Sequence, residues 1–303
     1  MLPVVVMLTL SLILLLLVAV VALAVAIHRR LGLLRRHLRV RTDRMQKDLI
    51  VATVLSGPRY SDPRHLCRFE GQVYSQHGED GIISEILRRI GETNRRFVEV
   101  GVGDGLENNT VYRLAQGWSG HWFEADEQHL QRIARTLPGE MISGRLRAVH
   151  ARMTAENAAE IMRQHDVPIA FDLLSLDIDR NTSHLWRALA HLEPRIVVVE
   201  YNSSIPQDDA WEVEYQADVN WDGSLYFGAS LASFHALGES LGYVLVGCDL
   251  SGSNAFFVRR ELVNDRFTGP FTAAAMYEPP RYYLVGRPGH PSRYGPSWHA
   301  TGA

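Results

Sequence analysis

The stretch from Arg96 to Asp126 constrains the fold more than any other part of the chain. It begins with the apolar run Phe97–Val100, which is typical of a buried strand. A loop with three glycines follows at residues 101–105, and residues 108–110 are Asn, Asn and Thr, which can cap a helix. A second apolar run ends on Glu124. This order of strand, glycine turn, helix, strand and acid predicts the first half of a nucleotide-binding βαβ unit.

The residue types of this loop also favour one class of ligand. Glycine allows the backbone to approach a ligand closely, and a helix start points free N–H groups at it. The separation between Gly101 and Glu124 fits the roughly 20 residues expected before an acid that accepts ribose hydroxyls. Glu99 and Asp104 would repel a dinucleotide pyrophosphate. They suit S-adenosylmethionine, whose methionine end carries an ammonium and a sulfonium.

Five motifs extend this interpretation over most of residues 74–260. They are SQHGEDG (75–81), FVEVGVGDGLENNT (97–110), FEAD (123–126), LLSLDID (173–179) and VVVEYN (197–202). With them the chain resembles the class I S-adenosylmethionine-dependent methyltransferases, and more narrowly the FkbM-type group, which is known mostly for O-methylation. We therefore expect S-adenosylmethionine as cofactor, with Glu124 on its ribose. The predicted cofactor residues are Glu99, Gly101, Gly103, Asp104, Gly105, Asn109, Glu124 and Asp126. The resemblance also implies that residues 75–81 lean over the cofactor, although Ser75 or Asp80 would equally serve as a helix cap.

The predicted catalytic residues are Asp177, Asp179 and Glu200, which follow two neighbouring strands where ligands bind in open α/β sheets. A carboxylate at Asp177 would orient or deprotonate an acceptor hydroxyl. Two alternatives stay open: the three acids cap helices, or they bind a divalent metal through oxygen.

The chain departs from its relatives at Arg180 and Thr182, where the methyltransferases it resembles usually carry a glycine and an acid. An inactive cofactor-binding or interaction module is therefore the alternative to an enzyme. The aromatic loop at 221–228 carries Trp221, Tyr226 and Phe227. These rings either stack on an acceptor or belong to the core.

Apolar strands alternate with helical patterns along the rest of the chain, which predicts an α/β, Rossmann-like, doubly wound sheet that is mostly parallel. Predicted helices include 127–135, 154–165 with Thr154 as cap, 183–192 and 230–241. The runs 242–249 and 255–259 are too close together for a parallel crossover. They predict a C-terminal antiparallel hairpin, which is the methyltransferase pattern.

Residues 2–27 carry no charged side chain and exceed the roughly 20 residues that span a bilayer. A cleaved signal peptide is the alternative, but the run lacks a basic start and is too long. Residues 28–47 contain seven Arg, one Lys and one Asp, a net charge of +7. This flank predicts a single-pass membrane protein with its catalytic domain in the cytoplasm. The same basic run is either only a topology signal or a contact with anionic lipid.

The remaining composition limits the partners. Residues 48–303 carry a net charge of −10, which argues against nucleic acid. Cys67 and Cys248 lack metal-type spacing, so we expect free buried thiols. Apart from the open alternative at the three acids, we expect no metal. The predicted segments are a transmembrane helix (1–27), a basic juxtamembrane segment and linker (28–73), a methyltransferase-like domain (74–262) and an irregular Pro-, Gly- and Tyr-rich tail (263–303). The predicted acceptor is a small molecule, a glycan or a lipid-linked compound.

Overall fold

The computed structural model describes residues 2–284, with side chains from residue 10 onward except those of residues 36–41, 43 and 44. The chain divides after Ser56 into two compact units. Residues 57–73, which the sequence analysis assigned to a linker, contain two short 3-10 helices at Pro58–Tyr60 and Leu66–Phe69, with buried side chains. The predicted tail is described only to Leu284, so Tyr294 and Trp298 lie outside the described residues.

The first unit is one uninterrupted helix, α1 (Leu2–Leu55). Its part from Leu10 to Arg35 has a mean hydropathy of 3.3 and is long and apolar enough to cross a membrane. The helix continues past the predicted span because residues 28–55 contain no proline and are rich in Arg and Leu, which are good helix formers.

The second unit alternates strands and helices. Its strands are β1 (Arg96–Val100), β2 (Ser119–Glu124), β3 (Leu146–His150), β4 (Ala170–Leu176), β5 (Glu193–Glu200), β6 (Tyr243–Cys248) and β7 (Asn254–Arg259). Its helices are α2 (Glu79–Ile90), α3 (Val111–Ala115), α4 (Glu127–Thr136), α5 (Pro138–Ile142), α6 (Ala158–Gln164), α7 (Thr182–Ala188), α8 (Leu231–Ser240), α9 (Arg260–Val263) and α10 (Ala273–Met276). A last 3-10 helix lies at Tyr282–Leu284.

The strands form one sheet in the order β3-β2-β1-β4-β5-β7-β6. The first five are parallel, and β7 is antiparallel to both β5 and β6. The predicted doubly wound sheet with a C-terminal antiparallel hairpin is therefore confirmed. Strand residues alternate between two cores, one on each face: Val197 and Val199 belong to one, and Ile196 and Val198 belong to the other.

Several helix ends differ from the prediction. The helix expected at 154–165 begins only at Ala158, because the Asn157 side chain accepts from Thr154 N (2.8 Å) and donates to Arg152 O (3.0 Å), which holds the preceding residues in a turn. The helix expected at 183–192 is α7. Ser230 caps α8 by accepting from Ser233 N, close to the predicted start.

The two cysteines, Cys67 and Cys248, are free and buried, as predicted. Neither Ser75 nor Asp80 occupies the N-cap position of α2, but the Ser75 hydroxyl accepts from Asp80 N (3.1 Å) in the first turn, so the cap predicted at Ser75 is partly confirmed. Helix α2 instead starts after Gly78, whose φ of 97° places it in the left-handed region. Asp80 accepts hydrogen bonds from the backbone N–H groups of residues 73, 74 and 75, so it fixes the loop before the helix.

Candidate functional site

The carboxyl ends of β1 and β4 lie side by side, because Val100 pairs with Leu176. Gly101 and Asp177 are therefore the first residues past the sheet, and the Asp177 amide donates to Val100 O (3.0 Å). A cleft opens here as two adjoining cavities that we call the first lobe (about 390 Å³) and the second lobe (about 320 Å³). Both are lined by Gly101, Gly103, His129 and Asp177.

The glycine loop has the geometry that its sequence predicts. Gly101, Gly103 and Gly105 have φ values of 83°, 56° and 73°. A Cβ at Gly101 would collide with the Asp177 carbonyl, and one at Gly105 would lie 2.8 Å from the Trp122 ring. No atom lies within 4 Å of a Cβ built on Gly103, which lines both lobes. Gly101 and Gly105 are thus required by packing, and Gly103 leaves room for a ligand.

Glu99 ties the glycine loop to the start of α3. Its buried carboxylate accepts from Asn108 Nδ2 (2.5 Å), Asn109 N (2.9 Å), and Thr110 N (3.1 Å) and Oγ1 (2.5 Å). Burial raises the pKa of Glu99, against the opposing effect of these hydrogen bonds. Asn109 also donates to Ser175 Oγ (3.1 Å). Both predicted cofactor residues line the second lobe, and both also shape the loop.

Glu124 lies at the end of β2 and lines the first lobe. Its carboxylate accepts from Gly103 N and from Asp126 N, each at 2.8 Å. Asp104 lines the second lobe. Asp126 caps α4 by accepting from Gln128 N (2.7 Å), and it is not among the residues that line either lobe. Gly105 also lies outside both linings.

The predicted catalytic acids meet at the floor of the cleft. Carboxylate oxygens of Asp177, Asp179 and Glu200 lie within 4.8 Å of one another, close enough to ligate one divalent cation. The Asp177 side chain is accessible to solvent from the cleft, but it is partly desolvated by the surrounding protein. This desolvation and the Asp179 charge raise the pKa of Asp177 to about 6. Burial and the Asp177 charge raise the pKa of Glu200 well above its ordinary value. Asp177 and Glu200 share a hydrogen bond and both hold protons more tightly than ordinary carboxylates, so the pair can accept a proton from a bound hydroxyl.

The second lobe is strongly acidic. The residues that line it include six acids and neither Lys nor Arg; the acids are Glu79, Glu99, Asp104, Glu107, Asp177 and Glu200. Glu79, which the sequence analysis did not single out, is buried and accepts from His77 N (2.7 Å) and Asn254 Nδ2 (2.6 Å). Burial and the nearby Asp249 raise its pKa to about 8. The position of Glu79 within the SQHGEDG motif could have identified it as a site residue from the sequence. Such a lobe favours a cation.

A segment of the connection between β5 and α8 crosses the rim of the cleft, and we call residues 211–221 the strap. Side chains at the start of α7 hold its backbone carbonyls: Arg180 donates to Glu214 O (3.4 Å), Asn181 to Gln216 O (2.9 Å), and His184 Nε2 lies 2.9 Å from Val213 O. The far side is fixed after β3, where Ala155 N donates to Tyr215 OH (3.0 Å) and Arg152 donates to Asn220 Oδ1 (2.8 Å).

This arrangement explains the two departures from the methyltransferase pattern. The Arg180 guanidinium lies 5.1 Å from the centre of the Tyr226 ring, and its side chain does not line either lobe. Thr182 is buried and accepts from Ile178 N (3.2 Å). Neither residue obstructs the cleft. Of the three aromatic residues predicted to stack or pack, Trp221 lines the first lobe, whereas Phe227 is buried.

Comparisons with known proteins add little to this geometry. Neither a protein-family model nor a curated protein matches the chain. Solved structures that match include the N-terminal domain of EvdMO1 with SAH bound (17% identity, 61% of this chain and 81% of that one, TM-score 0.39). Others are a proposed caffeoyl-CoA O-methyltransferase from Staphylococcus aureus (12%, 71% and 99%, 0.44) and the [4+2]-cyclase SpnF (12%, 59% and 67%, 0.35). At these identities and TM-scores, the likeness assigns no function to the chain.

Proposed function

We propose that this protein is a membrane-anchored S-adenosylmethionine-dependent methyltransferase that acts on a hydroxyl group. The observation that carries the proposal is the two-lobed cleft beside the glycine loop. Glu124, at the end of β2, lines the first lobe, and the second lobe is lined by six acids without Lys or Arg. A nucleoside joined to a cationic amino acid matches this division of shape and charge, whereas a pyrophosphate does not.

The cofactor would lie with its ribose at Glu124 and its methionine end in the second lobe. Because Gly103 has no side chain, the cofactor could approach the backbone of the glycine loop there. Glu79, Glu99 and Asp104 would offset the ammonium and sulfonium charges. The methyl group that the cofactor supplies would then lie near Asp177, which borders both lobes.

Asp177 would orient the acceptor hydroxyl and take its proton, with Glu200 sharing that proton. Methyl transfer to oxygen depends chiefly on holding the two reacting groups in line. The Asp177–Glu200 pair is therefore a sufficient base for the reaction. A metal held by Asp177, Asp179 and Glu200 is an alternative way to bind the same hydroxyl.

The charge of the cleft limits the acceptor. Eight acids line the two lobes, against Arg152 as the one Lys or Arg among the lining residues. A phosphate group near Asp177 would meet several carboxylates at short range. The acceptor class that fits is therefore a neutral or amine-bearing hydroxyl compound, such as an unphosphorylated glycan or the glycan part of a lipid-linked molecule.

The membrane anchor rests on α1 and on the charge that follows its apolar part. The basic flank supports an amino terminus outside and a catalytic domain in the cytoplasm. Protease added to sealed inverted vesicles should then degrade the domain, whereas protease added to right-side-out vesicles should not. Protection in inverted vesicles would reverse the proposed topology.

Calorimetric titration of the full-length protein in lipid nanodiscs tests the cofactor. We expect saturable binding of S-adenosylmethionine and its demethylated product, and none of a nicotinamide dinucleotide. Donor turnover with a membrane extract as acceptor tests the reaction. Binding together with turnover that Asp177→Asn abolishes supports the enzyme. If Arg180→Gly turns over the donor and the natural protein does not, the natural chain is the inactive module.

A further inference from the structure

Trp221 presents an aromatic ring inside the first lobe. The residue is 44% exposed, although three other tryptophans, at 118, 122 and 186, are buried. The indole N–H already donates to Ser224 O (2.6 Å), and Phe227 packs against the ring at 5.6 Å between centroids. What Trp221 still offers to a ligand is therefore the surface of its ring.

Asn181 lines the same lobe and carries an unpaired hydrogen-bond acceptor. The residue is only 8% exposed, and it lines the lobe beside the strap. Its amide nitrogen donates to Gln216 O, which fixes the orientation of the amide. Its Oδ1 is buried and has no hydrogen-bond partner among residues 2–284 as described. A buried acceptor left unpaired is unfavourable, so a ligand N–H group placed there would be held strongly.

We infer that Trp221 and Asn181 recognise the purine base of the cofactor, with Trp221 stacking on the ring and Asn181 Oδ1 accepting from the exocyclic amino group. This inference rests on the proposed function, because it places the nucleoside of S-adenosylmethionine in the first lobe. Glu124 lines that lobe too and would hold the ribose. The strap is then part of the cofactor site.

The inferred contacts predict a preference between bases. Adenine carries an amino group at the position where hypoxanthine carries a carbonyl oxygen. A carbonyl facing Asn181 Oδ1 would place two acceptors together, with no proton between them. The chain should therefore bind an adenine cofactor more tightly than the matching hypoxanthine compound.

The first test compares S-adenosylhomocysteine with S-inosylhomocysteine, each titrated calorimetrically into the full-length protein. The natural protein should prefer the adenine compound by about 10- to 100-fold, the range of one unmade hydrogen bond to a buried group. Asn181→Ala should bring the ratio close to one. The ratio of two ligands on one variant cancels any general weakening caused by a displaced strap. A ratio unchanged by Asn181→Ala would overturn the role of Asn181.

The second test addresses stacking. Trp221→Ala should weaken S-adenosylhomocysteine about tenfold or more, Trp221→Phe should retain most of the affinity, and ligand should quench a fluorescence component that Trp221→Phe lacks. Leu225→Ala is the matched control, since Leu225 is 67% exposed, lies in the same connection and is outside both lobe linings.

The two failures are distinguishable. If the natural protein binds S-adenosylhomocysteine and Trp221→Ala binds it as well as Leu225→Ala does, the stacking role is overturned and the proposed function stands. If the natural protein binds neither nucleoside compound, both are overturned.

Discussion

Asp172 lies near the amino end of β4 and Asp177 just past its carboxyl end, and their surroundings differ in nearly every respect. Asp172, at the amino end, is fully buried. It accepts from Thr93 N and Oγ1, from the backbone amides of Asn94 and Arg95, and from Arg195 Nη1 at 3.1 Å. Burial alone would raise its pKa, but the hydrogen bonds from Thr93, Arg195 and Arg95 outweigh that effect and lower it.

Asp177, at the carboxyl end, faces the cleft beside Asp179 and Glu200, and its pKa is raised to about 6. Only four residues, 173–176, thus separate a carboxylate surrounded by donors from one surrounded by acids. The first arrangement lowers the energy of the charged form and fixes the chain. The second leaves the charge poorly compensated, which is the condition of a group that awaits a cation or a proton.

The largest effect should be the loss of stability when the hydrogen bonds of Asp172, near the amino end of β4, are removed. Asp172→Ala leaves three backbone amides without their acceptor and removes the carboxylate partner of Arg195, which then keeps the carbonyls of Ile90 and Gly91 as acceptors. We therefore expect a loss of about 3–5 kcal/mol in the free energy of unfolding. Denaturant unfolding of the full-length protein measures this loss. Glu160→Ala, which removes an exposed helical ion pair with Arg163, is the control and should change stability by less than about 0.5 kcal/mol. Equal effects at both sites would contradict the structural role of Asp172.

Breaking the carboxyl end should affect turnover and not stability. Asp177→Asn keeps the shape but cannot take a proton, and we expect donor turnover to fall about 100-fold or more. An acid whose folded pKa is raised loses stability as pH rises through that pKa, so Asn should leave the unfolding free energy at pH 8 unchanged or higher. Exposed Glu127→Gln is the matched control for turnover. A destabilised but active Asp177→Asn would reverse our assignment of the two ends.

Glu124 combines both kinds of surroundings, because it holds the glycine loop and also lines the first lobe. Glu124→Gln should weaken cofactor binding by about 1–3 kcal/mol, since an amide cannot accept from both ribose hydroxyls. Asp126→Asn is a close control, because Asn caps a helix as well as Asp does and residue 126 lies outside both linings. Calorimetry that shows equal losses for the two variants would place the ribose elsewhere.

The smallest effect should be the pH dependence of binding. The pKa values of Asp177, about 6, and Glu79, about 8, are raised, so both groups lose protons as pH increases from 5 to 9. A cationic ligand favours the charged forms, so its affinity should rise with pH by at most about tenfold per unit, and binding should release protons. Calorimetric titrations in two buffers of different ionisation enthalpy detect the proton release. Asp177→Asn should abolish the part of that release that occurs near pH 6. Proton uptake on binding would contradict the placement of a cationic ligand in the acidic second lobe.

The sequence predicted the parts of this molecule that depend on local patterns. Period-two and continuous apolar runs located the strands, and the short spacing before Asn254 required the antiparallel hairpin. The glycines at 101, 103 and 105 indicated a glycine turn after the first strand, and all three have the positive φ of such a turn. Asp177, Asp179 and Glu200 were brought together as expected, because the ends of adjacent parallel strands meet at one edge.

The sequence did not reveal features that depend on distant pairs. Asp172 looks like an ordinary polar residue in an apolar strand until residues 93–95 fold over it. The strap has no helical or strand periodicity, and its course depends on contacts such as Tyr215 with Ala155. Asp126 satisfied a motif, but its position at the start of α4 made it a cap.

The strap is attached in a way that bears on how this cleft can change over generations. At the start of α7, Arg180, Asn181 and His184 contact main-chain oxygens of residues 213–216, and a main-chain oxygen is the same whatever side chain accompanies it. The backbone path of the strap can therefore be conserved while its side chains diverge. Related chains could in this way change their small-molecule preferences without a change of fold.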